Sequence, residues 1–210
     1  WLTVSPAYQA YFSDQFSFMN DRGLLQFGAR ALNITREFTN YPNQGGTAAN
    51  FGTLYTVEKK FSDVLPQIGV RFNLDREQQV FANIGKNFRA PPNFAYAPTN
   101  NNVTVTSGVA SLTGDVKAET SITTDLGYRY QSKALTFSAT AFNVDFKDRQ
   151  ANAFDPNSLK SIYANAGRAR TRGIEMELGT VPVNGWSAYA SLTIQKSKVL
   201  DDLRSTATIT

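Results

Sequence analysis

Glu175 and Glu177 stand two apart in the run Ile174-Glu175-Met176-Glu177-Leu178. Two carboxylates side by side suit glycosidic chemistry when held roughly 5–9.5 Å apart. Such a pair is also ordinary on a strand whose polar side faces water. The chain has no His and no Cys, so no Ser/His or Cys/His nucleophile can be assembled. The same absence removes imidazole and thiolate metal ligands and any disulfide framework. The reading is a protein that is not an enzyme, with no catalytic residue, metal site or cofactor. Cations cluster at Lys59-Lys60 and at Arg168, Arg170 and Arg172. Neither cluster belongs to a nucleic-acid-binding motif, so nucleic acid is not an expected partner. A third group is polar and aromatic: Phe94, Tyr96, Asn100, Asn101 and Asn102 offer stacking faces and hydrogen-bonding amides in a loop. Loops often carry binding, which makes these five candidates for a ligand vestibule.

The elements that hold these residues are strands. The chain has 210 residues with a formal charge of +4. No apolar run reaches the length of a membrane-spanning helix. Instead, apolar residues alternate with polar ones at a period of two. Tyr8, Ala10, Phe12, Phe16 and Phe18 share one face of a first strand, with Asp14 as an exception. Leu25, Phe27, Ala29 and Ala31 follow on the second. The third carries Val64, Ile68, Val70 and Phe72 from about Phe61 to Leu74. The fourth carries Val80, Ala82 and Ile84 against Phe81, Asn83, Gly85 and Asn87. Pro91 and Pro92 cannot continue a central strand, so it ends near Phe88-Arg89. Ile122, Leu126, Tyr128 and Tyr130 mark the fifth. Leu135, Phe137, Ala139 and Ala141 mark the sixth, where the apolar parity slips at Ala141-Phe142, the sign of a bulge or a change of exposure. Ile174, Met176 and Leu178 mark the seventh; Trp186, Ala188, Ala190, Leu192 and Ile194 the eighth.

Short turns fall near residues 21, 76, 132 and 184, at near-equal intervals. Asn20-Asp21-Arg22-Gly23 offers glycine for positive φ, and Val183-Asn184-Gly185 is a hairpin signal. The long segments, about 33–55, 92–115 and 150–163, read as loops. Short and long connections alternate, so all the long ones emerge at one end.

A soluble sheet also alternates. Three features favour a membrane barrel. The apolar face runs for about ten residues per strand, enough for a tilted crossing. The opposite face is Gln, Arg, Glu, Asp, Ser, Thr and Gly, which suits a wet interior. Short turns at one end and long loops at the other match outer-membrane barrels. The expected fold is thus all-β: an antiparallel up-and-down transmembrane barrel piece of about eight long strands. The first residue, Trp1, and the strand-like last residues suggest a piece cut from a longer chain. Arginine at the bilayer midplane costs about 2–4 kcal/mol. Arg172 therefore marks the upper edge of the apolar band, and Arg168 and Arg170 lie above it, against loop carboxylates, solvent or lipopolysaccharide phosphates.

The run Lys86-Asn87-Phe88-Arg89-Ala90-Pro91 resembles a hallmark strand of the TonB-dependent outer-membrane receptors, in which Phe-Arg-Ala-Pro leads into an extracellular loop. Pro66, Gly69 and Arg71 fit the family's preceding strand. Glu119 and Leu126-Gly127-Tyr128-Arg129-Tyr130 fit the strand after the loop. Phe142, Asp145, Lys147 and Asp148 fit the next; Asn165-Ala166-Gly167, Arg170 and Arg172-Gly173-Ile174-Glu175-Met176-Glu177-Leu178 fit the one following. The ordered set covers nearly the whole chain, residues 1–210 reading as one partial barrel domain. The resemblance implies a receptor of about 22 strands with an N-terminal plug, driven by the inner-membrane TonB complex through a periplasmic box. Plug, box and several C-terminal strands lie outside this sequence on that reading. It also implies uptake of a scarce nutrient, a ferric siderophore foremost, with outer-membrane lipid and lipopolysaccharide around the barrel. A porin-like or adhesive barrel is the alternative. Arg71, Asn83, Asn87, Arg129, Glu175 and Glu177 are the candidate plug-facing residues, with pairing inside the barrel wall as the plainer role.

Overall fold

The computed structural model describes residues 1–42, 53–98, 102–107, 109–112, 116–155, 160–182 and 184–201. Among them are thirteen strands: β1 (Leu2–Val4), β2 (Ala7–Phe18), β3 (Gly23–Asn40), β4 (Tyr55–Asn73), β5 (Gln78–Arg89), β6 (Val103–Thr106), β7 (Val109–Leu112), β8 (Glu119–Gln131), β9 (Leu135–Lys147), β10 (Gln150–Asp155), β11 (Lys160–Asn165), β12 (Ala169–Thr180) and β13 (Tyr189–Val199). A 3-10 helix spans Asn93–Tyr96.

One antiparallel sheet holds nine of the strands. β1 and β2 pair in succession along one side of β3, and the order then runs β3-β4-β5-β8-β9-β12-β13. Hairpins β6–β7 and β10–β11 form two small sheets inside the long connections. The number of strands is thirteen rather than about eight. Eight are long, from 11 to 19 residues, and the rest are short pieces in or beside the loops. Trp186 and Ala188 precede β13 instead of opening it.

Register explains the alternation. Phe27 stands opposite Ile68, Ile68 opposite Ile84, Ala82 opposite Leu126, Leu126 opposite Ala141, Ala141 opposite Ile174, and Ile174 opposite Ile194. Residues opposed across a ladder share a face, so the apolar sets fuse into one continuous surface. That surface is not covered: Val70 is 38%, Ile84 45%, Ile174 49% and Leu126 64% exposed. An apolar face this large needs a nonaqueous partner.

The parity inverts toward the loop end. On β4, Val64, Pro66, Ile68 and Val70 lie outward, whereas Tyr55, Val57, Phe61 and Leu65 lie inward and are buried. The outward positions there are Thr56, Glu58, Lys60 and Ser62. β9 does the same, with Phe142, Val144 and Phe146 opposite in parity to Leu135, Phe137, Ala139 and Ala141. Its ladders to β8 and β12 run without a break through Ala141-Phe142. The slip there is a change of exposure and not a bulge. The same inversion explains why the segment 33–55, expected as loop, is strand at both ends: β3 runs to Asn40 and β4 starts at Tyr55.

The turns lie where the sequence places them, but the first has different chemistry. Met19, Asn20 and Asp21 carry the positive φ values, at 55°, 54° and 63°. Gly23 opens β3 instead; a Cβ there would lie 2.3 Å from the Phe18 ring. Asn184 and Gly185, at 52° and 83°, both take the positive φ that a mirror-image turn requires, within the connection from β12 to β13.

Buried cores occur at the loop end. Phe38, Tyr55, Val57, Tyr96 and Val103 form one, and Ala95, Val116 and Tyr163 a second.

Candidate functional site

The inward face of the long strands is the first part of the site. Arg71, Phe81, Gly127, Thr140 and Glu175 occupy one register row; Gln79, Arg129, Ser138 and Glu177 occupy the next. Gly127 leaves room for the Phe81 ring, which would lie 2.2 Å from a Cβ there. The Arg129 guanidinium sits 4.4 Å from that ring's centre, a cation–π contact. Asn83 similarly lies over Gly69. The Asn87 amide donates to Thr123 Oγ1 at 3.0 Å, and Ser138 donates to Glu177 at 3.4 Å. Among the described residues Arg71, Arg129, Glu175 and Glu177 make no ion pair. β9 separates the two glutamates from Arg129, a span of about 10 Å at ordinary strand spacing. Some wall residues thus bond within the wall, while Arg71 and Glu175 stand exposed on the inward side.

At the short-turn end the inward face closes into a polar cleft of 510 Å³ whose lining includes Arg22, Asn73, Asp75, Gln79 and Arg129. Asp75 Oδ1 accepts the amide N–H groups of Glu77 and Gln78, each at 2.8 Å. These bonds favour the ionised carboxylate, the Glu77 amide foremost, and hold its pKa below the usual range. Tyr128 and Tyr130 donate to Gln78 and Glu77 and tie the turn to β8.

The loop end is the second part. Arg36 donates to the Pro91 carbonyl at 3.0 Å, with Ala90 and Pro91 buried beneath the turn into the loop. Lys86 pairs with Asp63 at 2.6 Å, and Phe88 is half-buried. Arg89 stands opposite Glu119, and its carbonyl accepts from Gln150 at 3.1 Å. Gln150 also bonds Glu119, Lys117 and Tyr163. Asn165 bridges Lys117 and Asp148. This knot joins the roots of two loops. Sequence reasoning missed Gln150, Tyr163 and Arg36, because their partners lie tens of residues away and no local pattern marks them.

The five vestibule candidates separate. Phe94 is 50% exposed and meets Tyr163 edge-on at 5.4 Å. Tyr96 is 1% exposed, and its carbonyl accepts from Tyr55 at 3.0 Å. Burial pushes the Tyr55 phenol up to about 12. Asn102 is 4% exposed and donates to the Tyr163 carbonyl. Tyr96 and Asn102 therefore build the loop's interior and are not vestibule surface. Asn100 and Asn101 lie outside the described residues.

Gly167 adopts φ +80° against the Asp201 carboxylate. Asp201 accepts from Arg168 at 2.8 Å, and that guanidinium lowers its pKa. Arg170 is paired with Asp145. Both arginines contact carboxylates near the loops. Gly173 lies against the backbone of Ile194 and Gln195, and Arg172 is exposed beside Asn143 and Lys196 in register.

An amphipathic sheet with exposed grease, a wet inner face and packed loops at one end admits few families. The sequence model of the TonB dependent receptor-like β-barrel family matches residues 3–208. The chain belongs to that family. Family members are outer-membrane receptors and transporters, not enzymes, and this chain is a stretch of such an outer-membrane wall. The pesticin receptor of Yersinia enterocolitica is 28% identical over 142 residues, covering 66% of this chain and 19% of that receptor. Among solved structures, the copper transporter OprC superposes with a TM-score of 0.72 at 18% identity, covering 94% of this chain and 29% of that one. The ferric yersiniabactin uptake receptor FyuA of Yersinia pestis gives 0.68 at 20%, covering 93% and 27%. These likenesses are of fold. The chain spans about a fifth of the curated relatives' length.

Proposed function

We propose that this chain is part of the barrel wall of a receptor for TonB-coupled active uptake of a scarce nutrient, with a ferric siderophore as cargo. The observation that carries the reading is the family match along residues 3–208, together with loops that fold onto the inward mouth of the sheet. The structural relative named for ferric yersiniabactin uptake is what favours an iron chelate. In this reading the sheet closes with further strands, and the parent chain supplies a plug and the periplasmic box that contacts the TonB complex.

Inward Arg71, Asn83, Asn87, Arg129, Glu175 and Glu177 form the wall against which the plug rests. Arg71 and Glu175 are the strongest contacts, since neither is engaged by a neighbour among the described residues. Phe94, with an exposed ring above the mouth, is the candidate for contact with cargo. Lys86, Phe88, Arg89, Ala90, Pro91, Asn165, Gly167, Arg172 and Gly173 serve the receptor by shaping the strand-to-loop junctions.

The test is uptake of radioactive iron, offered as a panel of chelates, by iron-starved cells with and without the full-length gene. Gene-dependent accumulation that vanishes when TonB is deleted supports the reading. Diffusive uptake indifferent to TonB would replace it with a porin-like barrel, and adhesion without uptake with an adhesin.

A further inference from the structure

The wall has a seam in its interior, between β4 and β5. On one side, β3 and β4 pair without a break from Gly23–Phe72 to Asn40–Tyr55. On the other, β5 and β8 pair without a break from Gln78–Tyr130 to Arg89–Glu119. The ladder between β4 and β5 stops at Gln67 and Gly85, although both strands run on toward the loops. The break falls at Pro66, which has no backbone N–H to donate. It begins one outward rung above the opposed pair Ile68 and Ile84. That is the rim of the apolar band, and bare backbone groups are costly any deeper in hydrocarbon.

Lys86 and Asp63 meet across this gap. Register puts Lys86 opposite Ile122 in the outward set. Asp63 alternates with outward Val64 and belongs with Phe61 and Leu65 in the inward set. Residues opposed across an intact ladder share a face, yet these two of opposite face pair at 2.6 Å. The Lys86 side chain therefore passes between the strands. A cavity lies on each side. The outward one, 510 Å³, is lined by Phe27, Ala29, Pro66, Ile68, Ile84 and Ile122 among others. The inward one, 430 Å³, has Gln26, Gln67 and Asn87 in its lining, and its charged lining residues are both cations, Arg30 and Lys86. Gln67, Gly85 and Lys86 line both cavities. Each volume falls within the range of small-ligand sites, about 300–1,000 Å³.

We infer that this seam is a binding site for a single-tailed anionic amphiphile that arrives from the loop-end vestibule. Its head lies in the inward cavity beside Arg30, and its tail passes the Lys86–Asp63 bridge into the outward apolar cavity. The inference rests on the outer-membrane orientation and on a barrel closed by further strands; it does not depend on iron as cargo. Two cations and no carboxylate in the inward lining select an anionic head. The change from amide to hydrocarbon lining across three shared residues selects a molecule with one polar and one apolar end. A membrane lipid seated wholly outside would fill the outward cavity and leave the inward one empty. Asp63 already neutralises Lys86, so this pair acts as the gate and Arg30 as the partner of the head. Gly85 adds no side chain to narrow the passage.

The experiment is photolabelling of the purified full-length receptor in phosphatidylcholine nanodiscs. The probe is dodecanoate carrying a diazirine at its last carbon, and peptide mass spectrometry reads the labelled residues. L65C/N87C bridges the seam on oxidation, or with dibromobimane where the gap is too wide for a disulfide. V64C/F88C carries the same lock if that pair does not assemble. N73C/Q79C, opposed within the intact part of the ladder, is the control. The site predicts label on Ile68 and Ile84 that is lost when the seam is bridged, returns when the disulfide is reduced, and is indifferent to the control bridge. D63N keeps an oxygen for the Val64 amide but releases Lys86, and should raise the label severalfold; R30Q should lower it. Equal label in bridged and open receptor marks a probe dissolved in the bilayer and overturns the site. So does label unchanged in both D63N and R30Q. Uptake of tail-free iron chelates by cells carrying the same variants is read separately. Its absence sinks the transport reading and leaves the seam standing; its persistence without bridge-sensitive label does the reverse.

Discussion

At the scale of single residues, the inward face is shaped by what glycine leaves empty. A Cβ at Gly173 would lie 2.3 Å from the Ile194 carbonyl and 2.9 Å from Gln195 Cα, both backbone. Neither can swing aside without disturbing the β12–β13 ladder. A Cβ at Gly85 would meet Gln67 Cβ at an ordinary 3.6 Å. Gly173→Ala should therefore destabilise the barrel by about 1–3 kcal/mol, while Gly85→Ala stays within about 0.5 kcal/mol of wild type. Gly127→Ala falls between them, since the Phe81 ring can move once it releases Arg129. Urea unfolding of the full-length receptor in detergent ranks the three. Asp75 makes a pH prediction. Its folded pKa lies below the unfolded value, so its contribution is present above the unfolded pKa and is lost as pH falls through the folded one. The stability gap between wild type and Asp75→Ala should be steady near neutrality and shrink in acid. A gap unchanged down to strongly acidic pH would show that the carboxylate's charge is irrelevant to the turn.

At the scale of elements, the inversion of apolar parity along β4 and β9 sets the membrane boundary. Below it the outward side meets hydrocarbon; above it the outward side meets water and the inward side packs against loops. Cysteines placed at Val70, Ile84 and Ile174, on this cysteine-free background, should report an apolar environment and resist water-soluble thiol reagents. Those at Gln67, Asn83 and Glu175, on the inward face, should react with the same reagents. Uniform reactivity on both faces would refute the boundary. The loop base yields a second prediction. Gln150→Ala removes bonds to Arg89, Lys117 and Tyr163, and Tyr96→Ala empties the centre of a core. Unpaired buried polar groups cost about 1–3 kcal/mol, and an aromatic truncation about 3–5. Both variants should be nicked faster by protease within residues 90–118 while the barrel's melting temperature holds. These same elements show what was legible in the sequence. The long strands and tight turns were readable because burial against lipid enforces a strict period of two. The upper halves of β3 and β4 were not, because the period persists while the apolar side switches. β6 and β7 are four residues each, too short for periodicity to register. Tyr96 and Asn102 were misread because composition suggests surface and only the fold buries them.

At the scale of the whole molecule, the described sheet has two edges, β2 and β13, neither with an outer partner among the described residues. Nearly every side chain along both is exposed. In water such an edge templates aggregation. In lipid the cost is sharper, since each unsatisfied backbone group loses several kcal/mol. A strand of 11 or 12 residues presents about half its backbone groups to the open side, so no membrane could hold this sheet with both edges bare. Two outcomes follow. Either further strands of the parent close the ring, as the family fold requires, or β2 and β13 pair with each other. The second would curl a sheet eight strands wide into a narrow cylinder, and the inward Phe81, Arg129, Phe142 and Phe146 would fill it and leave no room for a plug. Residues 1–210 expressed alone and refolded in detergent should therefore aggregate. They should show no shift in electrophoretic mobility between unheated and boiled samples. The full-length receptor should show that shift. A heat-modifiable, monodisperse fragment would mean that the two edges close on one another, and the plugged-receptor geometry would have to be abandoned.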